Sequence, residues 1–236
     1  MELLKLIFKN AFRHRLRSLL TIFGIAIAIL AFGFLRTVIG AWYGGVEASS
    51  QFRLVTRNSV SLAFPLPVSY REIIQGIPGV TGISYGFWFG GIYIDEKHFF
   101  PQFAVDDSTY FNLYPEFRVP PDQMEAFSRE RNGVIAGIKL ANRYGWKVGD
   151  PLRIRGTFFP GDWDFVIKGI YTGAEANTDE TQLFLHWQYV EERERQAGSP
   201  MAGHVGWYVV RIANPGLAGP VSQTIDQRFA NSPAET

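Results

Sequence analysis

Residues Leu19 to Leu35 read LLTIFGIAIAILAFGFL, seventeen positions of which only Thr21 is polar. No other stretch constrains the chain so tightly. At about 1.5 Å per residue, a helix over Leu19 to Trp42 is roughly 36 Å long, enough to cross a ~30 Å hydrocarbon layer with some tilt. Arg36 falls near its far end, where a long side chain can snorkel to the interface beside Trp42 and Tyr43. The competing reading is a helix buried in a soluble core, but such helices rarely stay apolar on every face for this length.

The preceding segment, MELLKLIFKNAFRHRLRS, sets the direction. Lys5, Lys9, Arg13, Arg15 and Arg17 stand there against Glu2 alone, a net charge of +4. Of the chain's 23 basic and 22 acidic residues, 18 and 21 remain elsewhere, a net of −3. Positive charge beside a first span is retained in the cytoplasm, so the N-terminus is expected inside and everything after Tyr43 outside. A cleaved signal peptide would have an apolar stretch of only about 7–15 residues and a small-x-small cleavage site. The stretch here is longer, and the best candidate site, Val38-x-Gly40, is poor. Lys5, Lys9, Arg13 and Arg17 recur every four residues, as do Leu4, Phe8, Phe12 and Leu16. That spacing suits an amphipathic helix lying in the inner interface. A plain topology signal with no docked helix would use the same charges.

Residues 44–236 are long enough for one or two domains with a real core, and their aromatic content argues against disorder. The chain has no cysteine, which excludes a disulfide framework and thiolate metal sites. With no basic cluster outside the leader, nucleic acid is not an expected partner. The pattern is of strands interleaved with short helices. Strands are expected over Arg53 to Ala63, Val80 to Phe87, Gly91 to Asp95, His98 to Val105, Gly133 to Gly137, Leu152 to Arg155, Asp164 to Tyr171, Gln182 to His186 and Gly206 to Ala213. Helices are expected after Ser69, whose spacing to Glu72 suits a capping box, and over Pro121 to Arg131, Ile138 to Tyr144, Trp187 to Gln196 and Gly216 to Phe229. The spacing lacks the regularity of a parallel α/β fold, so the class is α+β.

Chemical motifs are sparse. No GxxxxGK[ST] phosphate loop or GxSxG nucleophile elbow occurs, so the reading is of a non-enzyme with no catalytic, cofactor or metal site. His14, His98, His186 and His204 are scattered, and Asp95, Glu96 and His98 are too few ligands for a metal centre. Asp162 and Asp164 read as a turn after Pro160-Gly161. Two features carry functional weight. Gly24-x-x-x-Ala28 is a small-xxx-small face that permits close helix packing. The run Tyr85-Gly86-Phe87-Trp88-Phe89-Gly90-Gly91, with Phe99 and Phe100 nearby, is either strand core or an apolar surface of Phe87, Trp88 and Phe89 for lipid-like cargo or a partner.

Four stretches resemble the MacB/FtsX-type permeases of ABC transporters, a family of macrolide exporters and lipoprotein-release permeases. They are Arg13 to Ala28, Ile77-Pro78-Gly79-Val80, Gly133 to Ala141 with Val148 to Ile154, and Phe165 to Tyr171. The resemblance implies a cytoplasmic basic segment (1–17), a transmembrane helix (18–43) and an extracytoplasmic core domain (44–236), with an inserted subdomain at roughly 107–171. It further implies a place in the cytoplasmic (inner) membrane, a separate ABC ATPase, a second permease subunit, a periplasmic adaptor and contact with membrane lipids. Motion driven by the ATPase would be relayed to the outer domain through a stiff helix near Val46 to Phe52, unless Gly44-Gly45 is a hinge. The family's three further transmembrane helices do not follow here, which suits the N-terminal part of a permease. The alternative is a membrane-anchored binding or adaptor domain working without an ATPase.

Overall fold

The computed structural model describes residues 15–47, 51–61, 64–229 and 234–235. The chain divides into two units, Met1–Ser50 and Gln51–Thr236. In the first, the apolar segment forms one helix, α1 (Arg15–Glu47), of 33 residues, about 50 Å long. It runs through Gly44 and Gly45 without a break, although each glycine costs a helix about 1 kcal/mol relative to alanine. The amphipathic leader, with Lys5, Lys9 and Arg13, lies outside the described residues, and of Arg15 only the backbone is described.

The second unit opens with β1 (Arg53–Asn58), β2 (Leu66–Pro67), α2 (Tyr70–Gln75), β3 (Val80–Trp88) and β4 (Gln102–Val105). There follow α3 (Tyr110–Leu113), β5 (Phe117–Arg118), α4 (Pro121–Arg129), β6 (Gly133–Gly137), α5 (Ile138–Tyr144), β7 (Pro151–Gly156) and β8 (Gly161–Gly173). The chain closes with β9 (Leu183–His186), α6 (Trp187–Gln196), β10 (His204–Val205), β11 (Trp207–Ile212), a 3₁₀ turn (Pro215–Leu217), α7 (Ala218–Arg228) and β12 (Ala234–Glu235). Among the described residues ten strands make one mixed sheet in the order β12-β1-β11-β3-β4-β9-β6-β8-β5, with β7 on β8. Only the β4/β9 and β6/β8 pairs are parallel. Helices and sheet mixed in this way are the expected α+β class.

Alternation along the strands feeds a core on each face of the sheet. On one face Val134, Leu185, Val210 and Phe165 pack with Ile74, Leu140, Val190 and Ile225 from α2, α5, α6 and α7. On the other, Ile135, Phe184 and Val209 pack with Leu113 from α3 and Phe127 from α4. Strand β8 serves both. Its register to β6 slips between Val134 and Ile135, which skips Lys168. The bulge turns the strand over, so Trp163, Phe165 and Ile167 enter the first core and Tyr171 the second.

Two local expectations are corrected. Ser69 precedes α2 in a helical conformation and makes no side-chain capping bond, so the capping box does not form. Gly91 to Asp95 is not a strand; only Ile92 pairs, with Arg155 of β7. The Asp95 carboxylate accepts from the Lys97 backbone N–H at 2.8 Å and binds His98 Nδ1 at 2.6 Å, curling the segment into a turn. Ile94 takes φ 61°, the left-handed region that a β-branched side chain resists.

Candidate functional site: an apolar helix and an aromatic sheet face

Helix α1 is the first functional element. Its stretch Leu16–Thr37, 22 residues, is long and apolar enough to cross a membrane, and none of it is buried inside the structure. The hydroxyls of Thr21 and Thr37 each donate at 2.9 Å to the carbonyl four residues back, on Arg17 and Gly33. They therefore leave no bare donor towards lipid. Gly24 and Ala28 share one helix face, and a Cβ placed on Gly24 would meet nothing within 4 Å. Arg17 is exposed at the basic end.

The aromatic run is the second. Inward-pointing Phe87 and Phe89 are 2% and 0% exposed, so they form core and not the surface offered as one reading of the sequence. Phe87 meets Phe159 edge-on at 5.1 Å, and Phe89 meets Trp163 at 5.3 Å. Pleat alternation sends Trp88 to the opposite face. There it stacks with exposed Phe99 at 6.0 Å and meets Phe103 at 5.4 Å; Phe103 in turn meets Trp207 at 5.6 Å. Of these four only Phe99 is exposed; Trp88, Phe103 and Trp207 are half-buried behind it, and three of the four come from outside the run. Two glycines make room for the cluster. A Cβ on Gly86 would lie 2.7 Å from Trp207 Cζ2, and one on Gly90 would lie 2.6 Å from Trp88 Nε1.

Polar side chains cluster deeper in the domain. Arg53 forms a forked pair with Glu116 at 2.6 and 2.9 Å, donates to the Leu113 carbonyl and covers the Tyr114 ring. Buried Asp106 accepts from the hydroxyls of Ser108 and Thr109, both at 2.7 Å, and sits 3.4 Å from Arg71. The His186 imidazole, 3.6 Å away, holds the neighbouring Asp107 carboxyl below the usual carboxylate range. A groove of about 490 Å³ lies along α6, lined by Arg131, Trp187, Glu191, Glu192 and Arg195 among others. Its charges are matched internally, Arg131 with Glu192 and Arg195 with Glu191, both at 2.7 Å. Among the described residues no three His, Asp or Glu side chains are grouped to hold a metal. Asp164 is paired with Arg153 at 2.7 Å, and Asp162 and Asp164 both lie in strand β8 instead of the turn expected for them.

The chain thus pairs one helix long and apolar enough to cross a membrane with a mixed α+β domain. Residues 18–228 match the family described as the MacB-like periplasmic core domain. The chain belongs to that family, whose members are the periplasmic domains of ABC transporter permeases. Two solved structures share the fold. One is the periplasmic region of MacB from Actinobacillus actinomycetemcomitans, at 9% identity and TM-score 0.56, covering 81% of this chain and 92% of that one. The other is the extracellular domain of the noncanonic ABC-type transporter YknZ from Gram-positive bacteria, at 8% identity and TM-score 0.53, covering 78% and 98%. Among curated proteins none matches the sequence.

Proposed function

We propose that the chain is the N-terminal part of an ABC permease subunit that relays ATPase-driven motion across the membrane to its extracytoplasmic domain. The observation that carries this reading is the continuity of the family match from residue 18, inside the span, to residue 228 in α7. In this reading the basic leader of Lys5, Lys9, Arg13, Arg15 and Arg17 lies on the cytoplasmic face of the inner membrane, against anionic lipid headgroups. A separate ABC ATPase acts there, and a second permease subunit packs on the Gly24/Ala28 face. A periplasmic adaptor is the partner outside. The chain itself has no phosphate loop and turns over no ATP. Boundaries at 1–17, 18–43 and 44–236 follow, with residues 107–171 as an inserted subdomain. The sheet order supports that insertion: β5, β6, β7 and β8 lie to one side of β9, while β1, β3, β4 and β11 lie to the other. Exported or lipid-like cargo would meet the outer domain at exposed Phe99, with half-buried Trp88, Phe103 and Trp207 behind it.

Ala28→Leu in the full permease, reconstituted with its ATPase, tests the relay. The larger side chain is expected to hold the helices apart and lower coupled transport roughly tenfold, in line with the 1–3 kcal/mol cost of overpacking, while the outer domain keeps its thermal transition. Unchanged assembly and transport would refute the packing role. Full activity without any ATPase would refute the relay and favour an anchored adaptor.

A further inference from the structure

The two halves of the sheet meet at β9, and one side chain ties them there. His186 is 2% exposed. Its Nε2 lies 2.8 Å from the Phe127 carbonyl at the end of α4, and its Nδ1 lies 3.6 Å from Asp107 Oδ1 on the other half. The Phe127 ring stacks on the imidazole at 3.9 Å. Both ring nitrogens thus face acceptors. Only the imidazolium carries two N–H donors; the neutral ring must turn a lone pair to one of them. We propose that His186 is a protonation-dependent latch across β9, between α4, which packs on the β6 and β8 side of the sheet, and the turn that leaves β4 at Asp107. Protonated, it bonds Phe127 and Asp107 together; deprotonated, it keeps the Phe127 bond and presents a lone pair to the Asp107 carboxylate, loosening the seam.

The other charged groups near the site are accounted for. Asp106, beside Asp107, is already bonded by Ser108, Thr109 and Arg71. Tyr85 feels Asp106, Arg71, Asp107 and Glu191 together, and burial keeps its phenol protonated. Glu191 is held by Arg195 and the Gly203 backbone N–H. His186 occupies the N-cap position of α6 and makes no side-chain capping bond there. A second tie, Arg131–Glu192, crosses the same seam but keeps its charges throughout the histidine range.

The latch is read by hydrogen exchange on the whole chain in detergent micelles, corrected for the intrinsic effect of pH. Between about pH 5 and pH 8, where an imidazole changes charge, protection of the α4 amides is expected to fall about tenfold, the scale of one charge-assisted bond. Asp107→Asn supplies an amide that can donate to the neutral ring, so protection should stay high at both pH values. His186→Gln should be equally low at both, and His98→Gln and His204→Gln should respond as the unaltered chain does. The proposal fails if α4 protection does not change with pH, if Asp107→Asn leaves the change intact, or if either control histidine removes it.

Discussion

Trp163→Ala is expected to destabilise the outer domain by about 3 to 5 kcal/mol, the range for deleting a fully buried large aromatic. Against a typical total of about 5 to 15 kcal/mol, that is enough to unfold a marginal domain. Trp163 is 0% exposed. Its ring meets Phe89 at 5.3 Å and Tyr189 at 5.4 Å edge-on, and the Arg193 guanidinium lies 3.9 Å over its face. Its indole N–H donates to the Phe159 carbonyl at 2.9 Å, closing the β7–β8 hairpin. The hairpin is tight: a Cβ on Gly156 would fall 1.9 Å from that same carbonyl oxygen. Trp163→Phe keeps most of the packing and should lose only about 1 to 2 kcal/mol, the worth of the bond and a modest cavity. Urea unfolding of the chain in detergent separates the two; equal midpoints for both variants would mean that the indole is not a keystone of this core.

The second large effect lies in the span. Ile27 sits at the middle of Leu16–Thr37 and is 51% exposed. Ile27→Asp is expected to cost insertion about 3 to 4 kcal/mol, from the transfer values of the two side chains at a helix centre. Membrane-retained protein should fall at least tenfold in a carbonate-wash assay, with the remainder soluble or degraded. A charge at the surface of the outer domain, such as Val60→Asp on a side chain 73% exposed, should leave retention unchanged. If Ile27→Asp is retained like the unaltered chain, the helix is held by something other than lipid.

Much of this fold was legible because its pattern is local. The strand expected over Asp164 to Tyr171 lies inside β8, and α5 runs over Ile138–Tyr144 as its sequence indicates. Helix α6 likewise runs from Trp187 to Gln196 as its sequence indicates. The pairing of β2 with β10, two residues each, was invisible because neither strand is long enough to show a period. The capping box after Ser69 failed because spacing cannot report the backbone angle of the capping residue. The aromatic face was half legible. Trp88 belongs to a conspicuous run, but Phe103 and Trp207 reach it across strand pairings that only tertiary structure sets. His186 read as one of four scattered histidines because its partners, Asp107 and Phe127, are 79 and 59 residues away in sequence.

The account stands on a retained N-terminal span with the sheet domain outside the cytoplasm. Alkaline phosphatase fused after Thr236 in a bacterial host measures this directly, because the enzyme is active only when exported. Expected are an active, membrane-bound fusion and a mature protein that still begins within the basic leader. An inactive fusion would place the domain in the cytoplasm, and an active soluble product beginning near residue 41 would make α1 a cleaved signal; either result contradicts the account.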